Sequence, residues 1–129
     1  MSERGAARHR ARERALEILY EADIKARPVA EILNSLALAP DPYCRDLVLS
    51  ADQHRIETHE LITRYSQDWP LERIAVVDRL ILTLAMGEIR MIDSPPRAVV
   101  LDEAVELAKT FSTEGSGSFV NGLLVAMTE

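Results

Sequence analysis

Arg4, Arg8, Arg10, Arg12 and Arg14 place five of the chain's fifteen basic residues within its first fourteen positions. With Glu3 and Glu13 between them the segment carries +3, whereas the rest of the chain carries −9. A basic arm on an acidic body is the charge pattern of a segment that meets a polyanion, either nucleic acid or an anionic membrane. Arg4, Arg8 and Arg12 are spaced four apart, as are Arg10 and Arg14, so a helix would line up like charges at about 0.2–0.5 kcal/mol per pair. They would also stand at the positive end of the helix dipole, at a cost of roughly 0.3–1 kcal/mol each. The arm is therefore expected either to fray in solution or to fold against an external anion, as arginine-rich segments do on RNA.

Alanines flank the arginines and no Trp or Phe stands among them, so the arm lacks the apolar wedge of a membrane-surface helix. Four or five phosphate contacts would give a log–log salt slope of roughly −3 to −3.5 on a single strand. Phosphate contacts supply affinity without sequence choice, which needs stacking or base-edge contacts. Tyr20, Tyr65, Trp69 and Phe119 are the candidates, each also readable as packing, and Phe119 follows directly on a Gly/Ser loop.

Other chemistry has little to stand on. Asp102, Glu103 and Glu106 share one region of a helix, but nothing nearby in sequence would split the pKa values of an acid/base pair. They read as solvated acids, with Glu103 able to face inward beside Val99, Ala104 and Leu107. His54 and His59 are five apart and do not converge on one metal, and Cys44 is the single cysteine, so no internal disulfide is possible. Gly115-Ser116-Gly117-Ser118 lacks the spacing and the Lys-Ser/Thr ending of a phosphate-binding P-loop, so Ser116 or Ser118 is expected to cap the following helix. No enzyme, cofactor or metal site is indicated. A cytoplasmic protein is the consistent expectation: no apolar run approaches the ~18–20 residues that span a bilayer, and no apolar region follows the basic amino end.

The elements that must position these residues are helical. Ala11, Ala15, Ile18 and Ala22 mark the inner face of a first helix over about 8–24, stopped near Arg27-Pro28. A short helix over 29–38 ends before Pro40-Asp41-Pro42, and a longer one is predicted over 43–65. Trp69-Pro70 breaks the chain, a further helix runs over 71–92, Ser94-Pro95-Pro96 stops it, and helices over 97–111 and 119–127 complete the chain. No window alternates with period two, so strands have no support. The expected fold is all-α, six to seven helices in one domain of two packed three-helix bundles, about 8–66 and 70–128.

At three stretches the sequence resembles a known family. ARHRARERALEILYEAD at 7–23, WPLERIAVVDRLIL at 69–82 leading to Glu88, and AVVLDEAVELAK at 98–109 followed by SGSFVNGLL at 116–124 are similar in order and spacing to NusB, the bacterial transcription antitermination family. The resemblance covers nearly the whole chain and implies the same two-bundle fold. It also implies binding of single-stranded boxA RNA by the arginine-rich arm, together with the small-subunit ribosomal protein NusE, in an antitermination complex on RNA polymerase with NusA and NusG. By position it carries RNA contact to Arg8, His9, Arg10, Arg12, Arg14 and Phe119, and partner contact to Tyr20 and Asp78. An apolar surface on the first helix would serve that partner or a second copy of the chain.

The sequence departs from the family at four of these places. His9 stands where arginine is frequent and is mostly uncharged at neutral pH when unperturbed. Ser118 replaces a frequent lysine, Gly115 stands where some members have aspartate, and Thr83 replaces the usual arginine of an I-L-R pattern. Asn121 and Gly122 match the motif and read best as packing, the glycine allowing close helix approach and the amide satisfying backbone groups. Two other readings differ in class. RERALEILYEA is also similar to the first helix of TetR-type repressors, but 29–42 offers no second helix able to enter a DNA groove. A protein-only helical adaptor with an idle basic tail is the other.

Overall fold

The computed structural model describes residues 2–129, and the regular structure there is entirely helical. In chain order the helices are α1 (Glu3–Lys25), α2 (Val29–Ser35), α3 (Pro42–Gln53), α4 (Arg55–Tyr65), α5 (Val76–Ile89), α6 (Arg97–Phe111) and α7 (Ser116–Thr128), with a 3-10 turn at Leu71–Arg73 before α5. α5 is the central element and packs on α1, α3, α4, α6 and α7. Every residue from Leu80 to Glu88 on it is buried, which is why its sequence is apolar nearly all round rather than on one stripe. No helix among the described residues is long and apolar enough to cross a membrane.

α1 begins five residues before the predicted start. The Ser2 hydroxyl accepts the Gly5 N–H at 2.9 Å and Glu3 sits in the first turn, so the amino end is capped and the whole arginine arm is helical. The helix ends at Ala26, a left-handed residue at φ 51°, where the Arg27 N–H reaches back to the Ala22 carbonyl at 3.0 Å. α1 runs antiparallel to α5, so the arm meets the carboxyl end of α5 and the last turns of α1 meet its start.

Besides α2, which stops at Ser35 rather than 38, three predicted helices change. The helix expected over 43–65 divides at His54, which leaves helical geometry at φ −100°, ψ 10° with its ring Nδ1 2.9 Å from the Ser50 carbonyl oxygen. The helix expected over 71–92 is shorter, because Ile74 and Ala75 are extended and turn the Ile74 side chain into the core. The last helix starts at Ser116 rather than 119, immediately after Gly115 at φ 90°. α3 and α5 approach closest at Gly87, where an added Cβ would lie 2.6 Å from the Ala51 nitrogen.

Candidate nucleic-acid interface

One arginine of the arm, Arg12, is held by carboxylates inside the protein. Arg12 is buried, and its guanidinium donates from Nε to both oxygens of Glu88 on α5, at 2.8 and 3.1 Å, and from Nη2 to Oε2 at 2.7 Å. The Tyr43 hydroxyl of α3 also donates to Glu88 Oε2, and Glu103 of α6 stands 3.7 Å from Arg12 Nη1. Glu103 turns inward as its neighbours suggested and meets His9 Nδ1 at 2.8 Å, while Glu13 stands 3.8 Å from the other ring nitrogen. Burial alone would lower the Arg12 pKa, but the hydrogen bond and charge of Glu88, with Glu103, outweigh it and raise it. Burial, then the bond to Glu88, holds the Tyr43 phenol protonated well above its ordinary range.

This network corrects two expectations. The arm neither frays nor waits for an external anion to become helical, because Glu88 and Glu103 offset the repulsion along its inner row. Arg12, taken as an RNA contact, does not reach the surface; a phosphate would have to break a buried bidentate pair to touch it.

The other arginines keep their charge free. Arg8 lies over the Tyr43 ring at 4.6 Å from its centroid, and Arg14 Nη2 donates to the Leu38 carbonyl at 3.1 Å. Arg4 and Arg10 are exposed, and none of these four is ion-paired with a described residue. A straight helix pinned at Arg12 therefore presents four cations to solvent, with His9 shared between two acids beside them.

A second patch lies at the start of α7. Asp78, in the first turn of α5, is buried and accepts from Ser112 Oγ at 2.5 Å and from Ser116 Oγ at 3.0 Å. Neither Ser116 nor Ser118 caps α7: Ser116 spends its hydroxyl on Asp78, and Gly115 occupies the cap position. Asp78 was expected at a partner surface; its carboxylate instead fastens the turn that launches Phe119. Phe119 is partly buried against the core, and α7 packs on α4, α5 and α6, so this patch is separate from the arm. Ser118, Asn121 and Gly122 are exposed, and an added Cβ on Gly122 would meet nothing within 4 Å. The packing expected of Asn121 and Gly122 is absent, and both stand on the open side of the helix.

Tyr20 lines a hollow of about 350 Å³ with Leu16, Val77 and Phe111, and Glu13 and Glu17 stand at its rim. Tyr20 and Phe111 are 44% and 41% exposed, a large apolar area for neighbouring side chains of so small a protein. Phe111, at the last position of α6, overshoots the core and faces the hollow. Glu88, Glu103 and Tyr43 were missed as parts of the arm. The available signal was an arginine, Arg12, placed between the core alanines Ala11 and Ala15, which demands a buried acid.

A family model described as the NusB family matches residues 9–129. The transcription antitermination protein NusB of Thermobifida fusca (strain YX) is 40% identical over 132 residues, covering 99% of this chain and 93% of that protein. That of Geobacillus kaustophilus (strain HTA426) is 45% identical over 119 residues, with 91% and 92% covered. Among solved structures, T. maritima NusB superposes with a TM-score of 0.82 at 31% identity, covering 93% of this chain and 89% of that one. A crystal structure of the antitermination factors NusB and NusE in complex with double-stranded RNA matches with a TM-score of 0.78 at 27% identity, covering 95% and 96%. By the extent of these matches, the chain is a member of the NusB family.

Proposed function

We propose that this protein is a cytoplasmic transcription antitermination factor that binds RNA together with a NusE-type ribosomal protein. The observation that carries the reading is the anchored arm: Arg4, Arg8, Arg10 and Arg14 are held on one rigid helix without acidic partners, at the amino end of a chain that matches the family almost throughout. The RNA is single-stranded boxA in nascent ribosomal RNA. Arg8, Arg10 and Arg14 contact its phosphates, His9 adds a hydrogen bond, and Phe119 stacks on a base across from the arm. Arg12 acts by holding the helix in place.

NusE docks through the hollow around Tyr20, and Asp78 supports that face by ordering the turn behind it. The assembled pair then joins NusA, NusG and RNA polymerase. The protein performs no catalysis: it raises the effective concentration of RNA and partner for one another. Linkage requires each ligand to tighten the other by the same factor. Fluorescence anisotropy of labelled boxA-like RNA and a scrambled control, with and without NusE at two salt concentrations, tests the reading. Selective tightening of boxA by NusE is expected; equal binding of both RNAs, or no mutual effect, overturns it.

A further inference from the structure

At the end of α1 remote from the arm, a cavity of about 470 Å³ opens where the last turn of α1, the bend into α2, the α3–α4 junction and the first turns of α5 meet. Its volume lies in the range of sites that hold a small molecule. Neither the arm nor the Tyr20 hollow shares its lining.

The walls carry three guanidinium groups, of Arg27, Arg55 and Arg79, and the two carboxylates of Asp23 and Asp52; Arg27 is paired with Glu31 at 3.3 Å, which leaves Arg55 and Arg79 as the groups facing the space. Arg79 gives Nη2 to Asp23 at 2.9 Å, which fixes the plane of its guanidinium at the wall. Arg55 is held only loosely, 3.9 Å from Asp52, and is free to swing over the mouth. His59 brings its ring into the same wall, and its Nε2 is shut off from solvent with no hydrogen-bond partner. A buried polar atom left unpartnered is costly, and a ligand atom hydrogen-bonded to it would recover that cost. Burial, then the charges of Arg79 and Arg55, depress the His59 pKa against the opposing pull of Asp23, so the ring is held neutral. The floor is apolar and low: Leu19, Ala51 and Leu80 lie there, and Thr83 folds its hydroxyl back onto the Arg79 carbonyl at 2.8 Å.

We propose that this cavity binds a small phosphorylated ligand of about mononucleotide size. Arg79 and Arg55 take the phosphate, a rotation of the His59 ring turns its now enclosed Nε2 to it, and the apolar floor carries the organic part. A guanidinium fork suits the flat array of phosphate oxygens, and the volume exceeds what a free phosphate fills.

The full-length protein titrated with adenosine 5′-monophosphate, inorganic phosphate and adenosine at constant ionic strength tests this, followed by amide and histidine-ring NMR shifts. The nucleotide is expected to move the amides of 26–29, 52–59 and 79–83 saturably, free phosphate more weakly at the same places, and adenosine not at all. Arg55→Gln, at an exposed position, should weaken the nucleotide about tenfold, the loss of one charge-assisted contact. Thr83→Arg should fill the cavity and abolish nucleotide binding there, while Arg10→Ala in the arm should leave the shifts at the cavity as they are. No saturable shift at the cavity, shifts unaltered by Arg55→Gln, or shifts confined to residues 4–14 would overturn the proposal. If Thr83→Arg does not fold, Arg55→Gln alone decides.

Discussion

Arg12 and Glu88 face each other across the contact of α1 with α5, both side chains almost wholly out of water and joined by three N–H···O bonds of 2.7–3.1 Å. Two charges in such a place are costly to bury, and the pair persists because Tyr43 and Glu103 complete its polar surroundings. The consequence is mechanical. The arm's outer arginines project from a helix that is fixed at its third turn, so an RNA bound there as proposed would meet a preformed surface, with less lost to ordering on binding.

Removing one member of the pair leaves the other charge buried and unpaired. Arg12→Met is expected to destabilise the protein by about 3–5 kcal/mol, and Glu88→Leu by a similar amount. The double replacement should recover most of that loss, since neither charge then remains. Urea denaturation of the four proteins in a double-mutant cycle gives the coupling directly. Purely additive losses would show that the pair does not hold the arm.

Arg10 is exposed and touches nothing that stabilises the fold. Arg10→Ala should therefore leave the urea midpoint unchanged while weakening RNA of any sequence. The log–log salt slope should become shallower by about 0.7, the share of one phosphate on a single strand. A weakened fold, or an unchanged slope, would place the residue elsewhere in the mechanism.

The arm's composition and the helical stripes were legible because each depends on residues near one another in sequence. What the residues do was less so. Five arginines look alike along the chain, and only the arrival of Glu88 from α5, 76 positions away, makes Arg12 a structural residue and leaves Arg10 free. Asp78 stood in a matching motif, but its role depends on Ser112 and Ser116, whose hydroxyls come to it from the turn before α7. Gly122 was read as a packing glycine because glycine in a helix interior is costly unless something needs its smallness. The glycine that packing does need is Gly87, which no local signal separates from Gly122.

Gly87 and Gly122 make a matched pair for that reason. At Gly87 a new methyl would strike the Ala51 backbone at 2.6 and 2.7 Å, and backbone cannot move aside as a flexible side chain would. Gly87→Ala should force α3 and α5 apart and cost roughly 1–3 kcal/mol, the range for overpacking. At Gly122 the methyl enters open space, so Gly122→Ala should stabilise α7 by roughly 0.5–1 kcal/mol. Thermal melting separates the two: opposite signs are expected, and equal losses would mean that α7 is constrained in a way its surroundings do not reveal. If Gly122→Ala is also the more stable protein but binds RNA or NusE less well, the open face of α7 is part of the interface.

Two groups in the first turn of α3 should make the fold lose stability in alkali. Cys44 is fully buried, and burial, then the Asp41 carboxylate, push its thiol up to about 11 from an ordinary 9.0. Tyr43 beside it is raised in the same direction from 10.0 by burial and its bond to Glu88. Over these intervals the folded protein keeps protons that the unfolded chain has released. Their contribution is thus fully present below pH 9 and is lost as pH rises toward 11 and beyond. Urea unfolding at a series of pH values should show stability falling steadily above pH 9. Cys44→Ala lowers stability at every pH by the packing of one sulfur, but it removes one of the two titrating groups, so its decline between pH 9 and 11 should be shallower by up to one proton. A parallel decline in both proteins would assign the alkaline loss to Tyr43 and the Glu88 network alone.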